Sequence, residues 1–287
     1  DAFISIFKYN ASFHDYINLR FYELGDKERK TFLTARMVTA EKNQWGKEEV
    51  EKVYNKASFN RIFADRIGRD WLDVNGSDLD EFLAFINKHQ TFYAKPKRES
   101  LGIGIRKCRL SEIDDAEELY YELKKSDYII EEELHICEDL QKLNPNSVSQ
   151  IRIVTICNKD VDILAASLRT GVNVPYNQAG DDLIAQIDIA TGVVFTDGVC
   201  EDGKIYECHP VSGIRLKGYQ VPRWNEIIDV CKQAAKRVPA VKMIGWDVAI
   251  TDDKICFFEG NPGSGVASMQ LADRVGKKEL FYQLLNN

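Results

Sequence analysis

Two carboxylates and an amide near the end of the chain have the residue types and spacing of a magnesium site. Asp247 lies in one predicted strand, Glu259 ends the next, and Asn261 follows two residues later. If their polar connection at 251–254 is a three-residue loop, Asp247 stands directly opposite Glu259, and alternation places all three groups on one face. Hard oxygen donors of this kind bind Mg²⁺ that also contacts phosphates. A solvated acidic hairpin end is the alternative.

A lysine at the end of a predicted strand precedes a loop that contains glycines. Lys95 ends the strand TFYAKP, and the segment LGIGI follows at 101–105. Glycines let backbone N–H groups approach an anion, to which the lysine adds positive charge. The spacing matches neither the Walker nor the Rossmann fingerprint. A phosphate-binding loop and a plain β-hairpin with glycines in its turn are both compatible with this segment.

The segment DYIIEEELHICEDL, in which an apolar strand becomes acidic, is a candidate for a nucleotide hinge. Backbone groups near Glu131 and Glu132 could contact an adenine edge, and a carboxylate could accept hydrogen bonds from ribose hydroxyls. Glu138, seven residues after Glu131, is the candidate for the ribose. A solvated junction between a strand and a helix is the alternative.

Two arginines lie on the two strands of a predicted hairpin that turns at 158–160. Arg152 alternates with isoleucines, and an arginine on a half-buried strand needs an anion or solvent. Arg152 and Arg169 are therefore candidates for phosphate or carboxylate contacts in one cleft. His209, which precedes a proline, is a candidate for substrate positioning, with a loop histidine satisfied by its neighbours as the alternative.

The predicted elements fall into three parts. Residues 1–48 have helical spacing, 49–130 alternate helices and strands as an α/β lobe does, and 131–287 contain most of the antiparallel strands. Within these parts the pattern predicts a capped acidic helix over 111–125 and one continuous helix over 269–287.

Composition sets further limits on the function. Of the 287 residues, 44% are hydrophobic and 29% are charged, which is typical of a soluble globular protein. The net charge of -7 argues against nucleic acid as a partner, and no apolar run approaches the roughly 20 residues of a membrane span. Seven scattered cysteines without a C-x-x-C pair favour reduced thiols and a cytoplasmic location.

Taken in order, these motifs resemble the ATP-grasp superfamily, and most of all its sugar-transfer-associated branch. The segments that carry the likeness are YAKP (93–96), LGIGI (101–105), YIIEEEL (128–134), LNPNSVSQIRIVT (143–155), LRTG (168–171), HPVSGIRLKGYQVPRW (209–224) and GWDVAITDDKICFFEGNPGSG (245–265). The resemblance covers nearly the whole chain. It implies an α+β ATP-grasp fold, in which two α/β lobes (49–130 and 131–287) clasp ATP behind the N-terminal helical segment.

The resemblance also implies roles for individual residues. Lys95 would contact the α- and β-phosphates, and the glycine loop would close over ATP. The residues implied to bind the nucleotide are Lys56, Lys95, Gly102, Gly104, Glu131, Glu132, Leu134 and Glu138. The residues implied to hold two Mg²⁺ ions are Asp247, Glu259 and Asn261.

The reaction implied by the resemblance is ligation through an acylphosphate. A substrate carboxylate would attack the γ-phosphorus of ATP, and an amine would then displace phosphate. Arg152 would stabilise the transferring phosphoryl group. The candidates for holding the substrates are Arg169, His209, Gly263, Ser264 and Gly265.

Small-molecule partners follow from the same resemblance. They would be a carboxylate and an amine, with a sugar acid and an amino acid of cell-surface polysaccharide synthesis as examples. A kinase that phosphorylates a hydroxyl, and a nucleotide-binding module without turnover, are the alternatives. The intact set of Asp247, Glu259 and Asn261 argues against the module.

Overall fold

The strands in the described part of the chain form two antiparallel sheets, and helices precede, connect and follow them. A computed structural model describes residues 1–99, 102–172, 182–263 and 265–287. Its α-helices are α1 (Ala2–Lys8), α2 (Phe13–Asn18), α3 (Asp26–Arg29), α4 (Ala35–Lys42), α5 (Lys47–Tyr54), α6 (Lys56–Ile62), α7 (Ala64–Ile67), α8 (Leu79–Lys88), α9 (Ala116–Lys125), α10 (Glu138–Leu143), α11 (Trp224–Lys236), α12 (Ser268–Leu271) and α13 (Lys278–Asn286). Its strands are β1 (Trp71–Asp73), β2 (Thr91–Pro96), β3 (Arg106–Arg109), β4 (Tyr128–Glu132), β5 (Gln150–Cys157), β6 (Val161–Gly171), β7 (Asp182–Gln186), β8 (Gly198–Val199), β9 (Ile205–Tyr206), β10 (Met243–Ile250) and β11 (Ile255–Pro262).

The smaller sheet has the strand order β1-β4-β2-β3 and packs one face against α8 and α9. Alternation along β2 buries Phe92 and Ala94 in that core. Lys95 therefore points to the other face, as does Glu131, which pairs directly opposite Tyr93. The sheet thus presents a lysine and a glutamate on the side away from its own helices.

The larger sheet has the strand order β11-β10-β5-β6-β7-β8-β9. Its central strands β5 and β10 are buried along their whole length, which explains their nearly continuous apolar sequence. Helix α6 packs Phe59 within 6.3 Å of the Trp246 ring, and Phe63 approaches the same ring to 5.3 Å. The main core of the protein is therefore built on this sheet.

A β-bulge sets the register of the hairpin formed by β10 and β11. Ile250 pairs with Ile255, so the loop spans residues 251–254 and is one residue longer than the three-residue loop on which the predicted pairing of Asp247 with Glu259 depended. The pairing shifts between Val248 and Asp247, and Phe258 is the extra residue. Asp247 consequently does lie opposite Glu259, as predicted, but through the bulge and not through the loop.

Other elements differ from the sequence predictions for local reasons. The predicted helix over 111–125 begins only at Ala116, where Asp115 caps the first backbone N–H groups of α9. The predicted helix over 269–287 is divided into α12 and α13. Arg274 has a φ of 58°, and a side chain at Gly276 would meet the Thr31 carbonyl carbon at 2.3 Å, so the chain turns there and passes close to the N-terminal segment.

The core contacts show which sheet each predicted part of the chain packs against. Helices α1 to α4 lie within residues 1–46, and α5 begins at Lys47. The segment from α5 to α7 contributes Val53, Phe59, Phe63 and Ile67 to the core of the larger sheet, although most of it lies in the range predicted for the first lobe. The predicted boundary after residue 130 falls inside β4. Among the described residues, no helix is long and apolar enough to cross a membrane.

Gln270 connects the N-terminal segment to the C-terminal part of the chain around α12. The side chain is fully buried, and its amide oxygen accepts from the N–H groups of Leu33 at 2.9 Å and Lys277 at 2.8 Å. Its amide nitrogen donates to the carbonyls of Leu33 at 2.9 Å and Val266 at 2.7 Å. One side chain therefore satisfies backbone groups of three segments.

We expect Gln270→Leu to lower the free energy of unfolding by about 3 kcal/mol, because buried backbone groups lose their partners while the volume is nearly kept. Urea unfolding at pH 7 measures this loss. Gln220→Leu is the control, since Gln220 also donates to two backbone carbonyls but is exposed. Its stability should change by less than about 0.5 kcal/mol. Equal losses in the two variants would contradict the role of Gln270.

Candidate functional site

Asp247, Glu259 and Asn261 converge at one end of the β10–β11 hairpin. The Asn261 amide nitrogen donates to Asp247 Oδ2 at 3.2 Å and to Glu259 Oε1 at 3.0 Å. Asp247 is 3% exposed, whereas the Glu259 side chain is 28% exposed. The three groups supply the hard oxygen donors that Mg²⁺ uses, so this part of the chain fits a magnesium ion.

Asp247 also lies opposite Arg152 on β5, and the two side chains form a buried bidentate ion pair. Arg152 Nε donates to Asp247 Oδ1 at 2.5 Å, and Nη2 donates to Oδ2 at 2.9 Å. Burial raises the pKa of the Asp247 carboxyl, and the charge of Glu259 adds to this rise, while Arg152 opposes it. A cation beside Asp247 would remove much of that repulsion between the two acids.

Glu259 faces a lysine from outside the sheet. Lys56 Nζ lies 3.6 Å from Glu259 Oε2 and donates to the Glu99 carbonyl. Lys56 is the first residue of α6, which Asn55 caps by accepting from the Ser58 N–H at 3.1 Å. Burial acts to raise the pKa of the Glu259 carboxyl, but Lys56 and the hydrogen bond from Asn261 outweigh it, and the pKa is lowered.

The predicted hinge residue Glu131 is at the centre of a buried ion cluster. Arg69 donates from Nε to Oε2 at 3.0 Å and from Nη2 to Oε1 at 2.9 Å, and Asn60 donates to Oε1 at 2.9 Å. Lys95 Nζ lies 2.6 Å from Oε2. Burial acts to raise the pKa of the Glu131 carboxyl, but Arg69 and Lys95 hold it well below its usual range. Burial also lowers the pKa of the Lys95 ammonium.

Glu132 points to the opposite side of β4 from Glu131. It accepts from the Asp70 N–H at 3.0 Å and lies near His89, whose Nε2 is 2.9 Å from Asp70 Oδ2. Asp70, His89 and Glu132 bring three possible metal ligand atoms within 4.8 Å of one another. Lys88 Nζ lies 2.5 Å from Asp70 Oδ2, so a cation from the protein already compensates this group.

The remaining predicted nucleotide residues surround β4 and the β2–β3 turn. Gly102 and Gly104 both have a φ of 74°, and the Tyr128 hydroxyl donates to the Gly104 carbonyl at 3.0 Å. Leu134 packs against the main core directly after β4. Glu138 begins α10, where it is exposed and pairs with Lys142 at 2.8 Å.

Arg169 shares the face of the larger sheet that carries Arg152. Register pairs Arg152 with Ser167, and Arg169 is two residues further along β6. Arg169 pairs with Asp182, the first residue of β7. Burial acts to lower the pKa of the Arg169 guanidinium, but Asp182, Asp247 and Glu259 outweigh it and raise the pKa. Arg169 is therefore within electrostatic reach of the candidate metal ligands.

His209 and the last predicted loop lie at two ends of this region. His209 is fully buried, with Nε2 3.1 Å from the Gly171 carbonyl and 3.4 Å from Thr170 Oγ1, and burial lowers its pKa. Gly263 and Gly265 have φ values of 68° and 79°. A Cβ on Gly265 would lie 3.3 Å from Arg152 Nη1, so this loop passes beside the arginine. Ser264 lies outside the described residues.

Three residues of this region were not identified from the sequence: Asn60, Arg69 and Asp182. Each binds a predicted site residue. Asn60 and Arg69 lie 71 and 62 positions from Glu131, and no local pattern indicates such pairings. Only Gly68 could have indicated one of them from local sequence, because a glycine often ends a helix and redirects the chain, here just before Arg69.

Comparison with known proteins decides the family. The family model described as sugar-transfer associated ATP-grasp matches residues 48–284. The chain belongs to this family. The match confirms the resemblance seen in the sequence motifs, and it begins at the second residue of α5. A search of curated proteins finds no match to this ATP-grasp chain.

Solved structures with a similar fold include ligases. The ATP-grasp ligase PsnB complexed with minimal precursor is 15% identical, with 96% of this chain and 76% of that chain covered and a TM-score of 0.53. The VanG D-Ala:D-Ser ligase from Enterococcus faecalis is 14% identical, with 81% of this chain and 61% of that chain covered and a TM-score of 0.51. These likenesses confirm the α+β ATP-grasp fold of this protein.

We expect Glu131→Gln to lower the free energy of unfolding at pH 7 by about 3 kcal/mol, because Arg69 and Lys95 lose their buried counter-charge. The folded pKa of Glu131 is below its ordinary value, so its contribution is present above about pH 4.3 and is lost as the pH falls further. The difference in free energy of unfolding between the wild type and the variant should therefore be largest at neutral pH. Urea unfolding at pH 7, 5 and 3 measures it.

Asp65→Asn provides the control for this experiment. Asp65 also forms a bidentate pair with an arginine, Arg237, at 2.6 and 2.8 Å, but both side chains are exposed. Its loss should cost less than about 1 kcal/mol. If the difference in free energy of unfolding between the wild type and Glu131→Gln increased as the pH falls, the Glu131 carboxylate would not stabilise the cluster.

Proposed function

We propose that this protein is an ATP- and Mg²⁺-dependent ligase that joins a carboxylate to an amine through an acylphosphate, with release of ADP. The observation that carries the proposal is the convergence of Asp247, Glu259 and Asn261 beside Arg152 and Lys56. Family membership supports ATP as the phosphoryl donor. A role in modifying cell-surface polysaccharide precursors, with a sugar acid and an amino acid as substrates, is the family-based extension of this proposal.

The charges of the region suit a triphosphate. The cations are Lys56, Arg69, Lys95, Arg152 and Arg169, and the carboxylates are Glu131, Asp182, Asp247 and Glu259. The five cations of these ion pairs therefore outnumber the four carboxylates. An anionic ligand together with divalent cations can be accommodated there without a large uncompensated charge.

Each part of the region has a proposed task. Lys95 and Lys56 contact the phosphates, the backbone after Glu131 together with Leu134 contacts the adenine, and Glu138 accepts from the ribose. The loop with Gly102 and Gly104 covers the phosphates. Asp247, Glu259 and Asn261 hold two Mg²⁺ ions, which supply charge stabilisation for the transferring phosphoryl group.

The chemistry then requires positioning more than covalent help from the protein. The substrate carboxylate attacks the γ-phosphorus, the bond to the bridging oxygen of ADP breaks, and an acylphosphate forms. The amine attacks the acyl carbon and phosphate leaves. Arg152 offsets the charge that develops on both groups, and Arg169 with the loop around Gly263 and Gly265 orients the substrates. His209 contacts the last two residues of β6, Thr170 and Gly171, and so positions the end of this strand.

Hydroxylamine can replace the unknown amine and distinguishes the ligase from the kinase alternative. With ATP, Mg²⁺ and a panel of sugar acids and amino acids, a ligase releases ADP and converts the acylphosphate to a stable hydroxamate, which a ferric colour test detects. A kinase releases ADP but leaves a phosphoester that hydroxylamine does not trap. ADP release without hydroxamate on any carboxylate would contradict the ligase proposal.

We expect Mg²⁺-ATP to raise the melting temperature of the wild type and Glu259→Gln to remove the Mg²⁺-dependent part of that rise. ATP at 100 times its dissociation constant stabilises a protein by about 2.7 kcal/mol, which is readily seen in a thermal shift. Glu259→Gln should also abolish ADP release, because one charge at the metal is lost. Glu279→Gln, at an exposed position of α13, is the control and should behave as the wild type does. Full turnover in Glu259→Gln would disprove the metal assignment.

We expect Lys95→Met to weaken ATP binding about tenfold or more, which corresponds to about 1.4 kcal/mol or more, because a charge beside the phosphates is removed. Isothermal titration calorimetry measures the dissociation constant. Lys236→Met, which removes an exposed lysine paired with Asp160, is the matched control and should leave it unchanged. An unchanged ATP affinity in Lys95→Met would remove this lysine from the site.

A further inference from the structure

Arg69 is a buried arginine between the two sheets, and all five of its N–H donors have acceptors. Its side chain is 1% exposed. Nε and Nη2 donate to the Glu131 carboxylate, and Nη2 also donates to the Phe258 carbonyl at 3.2 Å. Nη1 donates to the carbonyls of Ile67 at 2.9 Å and Phe257 at 2.8 Å. A lysine has three donors and no planar fork, so it cannot reproduce this set.

Two of these acceptors belong to the bulge that sets the metal ligands. A bulge leaves backbone groups of the extra residue outside the strand ladder, and Phe258 is that residue here. Continued without a bulge, the pairing of Ile250 with Ile255 would bring Phe258 opposite Asp247 and turn Glu259 to the other face. The carbonyls that Arg69 binds are therefore those of the residues that determine where Glu259 points.

The contact of Arg69 with Glu131 also determines the charge around Lys95. Its bidentate contact supplies one full positive charge to Glu131, and Asn60 adds a further hydrogen bond. With Glu131 compensated by Arg69, the charge of Lys95 is available to a second anion at the same place. Without Arg69, Lys95 would be the sole cation bound to a buried carboxylate.

The path of the chain into this position is also specific. Gly68 ends α7 with a φ of 70°, and a Cβ there would lie 2.1 Å from Cys256 Sγ. Only glycine allows the backbone to pass so close to β11 in this conformation. The contact brings Arg69 between β4 and β11, although its side chain touches none of Asp247, Glu259 and Asn261.

We propose that Arg69 is a positioning residue that fixes the nucleotide half and the metal half of the site together. It holds the Phe257 and Phe258 carbonyls so that Glu259 faces Asp247, and it compensates Glu131 so that Lys95 can bind phosphate. This inference rests on the proposed function, since it assumes that ATP and Mg²⁺ bind at these residues.

Arg69→Lys tests the inference because it keeps the charge and removes the fork. Two dissociation constants are measured on folded protein: that of ADP in the presence of EDTA by calorimetry, and that of Mn²⁺ at saturating ADP by electron paramagnetic resonance. We expect both to weaken about tenfold or more, as is usual when a partner of a metal ligand is altered. A role in stability alone would lower the melting temperature and leave both constants unchanged.

Two further variants separate the nucleotide half from the metal half of the site, and a third variant is their control. Glu259→Gln should weaken only Mn²⁺ binding, and Lys95→Met should weaken metal-free ADP binding. Arg237→Lys is the matched control, because Arg237 also combines a bidentate carboxylate contact with a backbone carbonyl, at Asp65 and Ile62, on the surface. It should change neither constant. Arg69→Lys with either constant unchanged would overturn the inference.

If Arg69→Lys does not fold, the double variant Arg69→Met, Glu131→Gln replaces it, because removing both members of a buried pair is better tolerated than removing one. The bulge carbonyls still lose their donors, so Mn²⁺ binding at saturating ADP should weaken about tenfold. Unchanged Mn²⁺ binding would overturn the inference. A wild type that binds neither ADP nor Mn²⁺ would instead overturn the proposed function, and this inference with it.

Discussion

Buried carboxylates impose the constraint on which the arrangement of this site depends. Glu131 and Asp247 are both almost inaccessible to water, and an uncompensated buried charge costs several kcal/mol. Each carboxylate is therefore bound by the fork of an arginine, Arg69 for Glu131 and Arg152 for Asp247. The sheets must meet so that these forks reach their partners, which fixes the relative placement of β4, β5, β10 and β11.

The strand register turns this constraint into a polar row across the larger sheet. Gln186, Ser167, Arg152, Asp247 and Glu259 lie directly opposite one another on β7, β6, β5, β10 and β11. Residues that are directly opposite share a face, so one face of an otherwise apolar sheet carries a continuous polar strip. The strip runs toward Lys56 and, through Arg69, toward the smaller sheet. This explains how residues from distant segments form one charged region.

The same region shows why fold and function need separate arguments. The ATP-grasp fold is established by the family match and by structures of low sequence identity. The ligase proposal depends on the donor set and charges of particular residues, since one fold can support several reactions. The choice of carboxylate and amine depends on the loops that border the site, because loops carry most substrate-binding residues.

Local patterns in the sequence were enough to predict the hairpins and the N-terminal helices, because side-chain periodicity depends only on neighbouring residues. Together with the motif order, they also identified the family. The bulge at Phe258 and the break near Gly276 depended on contacts with distant segments. So did the buried partner of Glu131, because Arg69 lies 62 positions away and only the packing of two sheets brings it there. Sequence thus determined the family and the candidate site residues, and tertiary structure decided which charges compensate them.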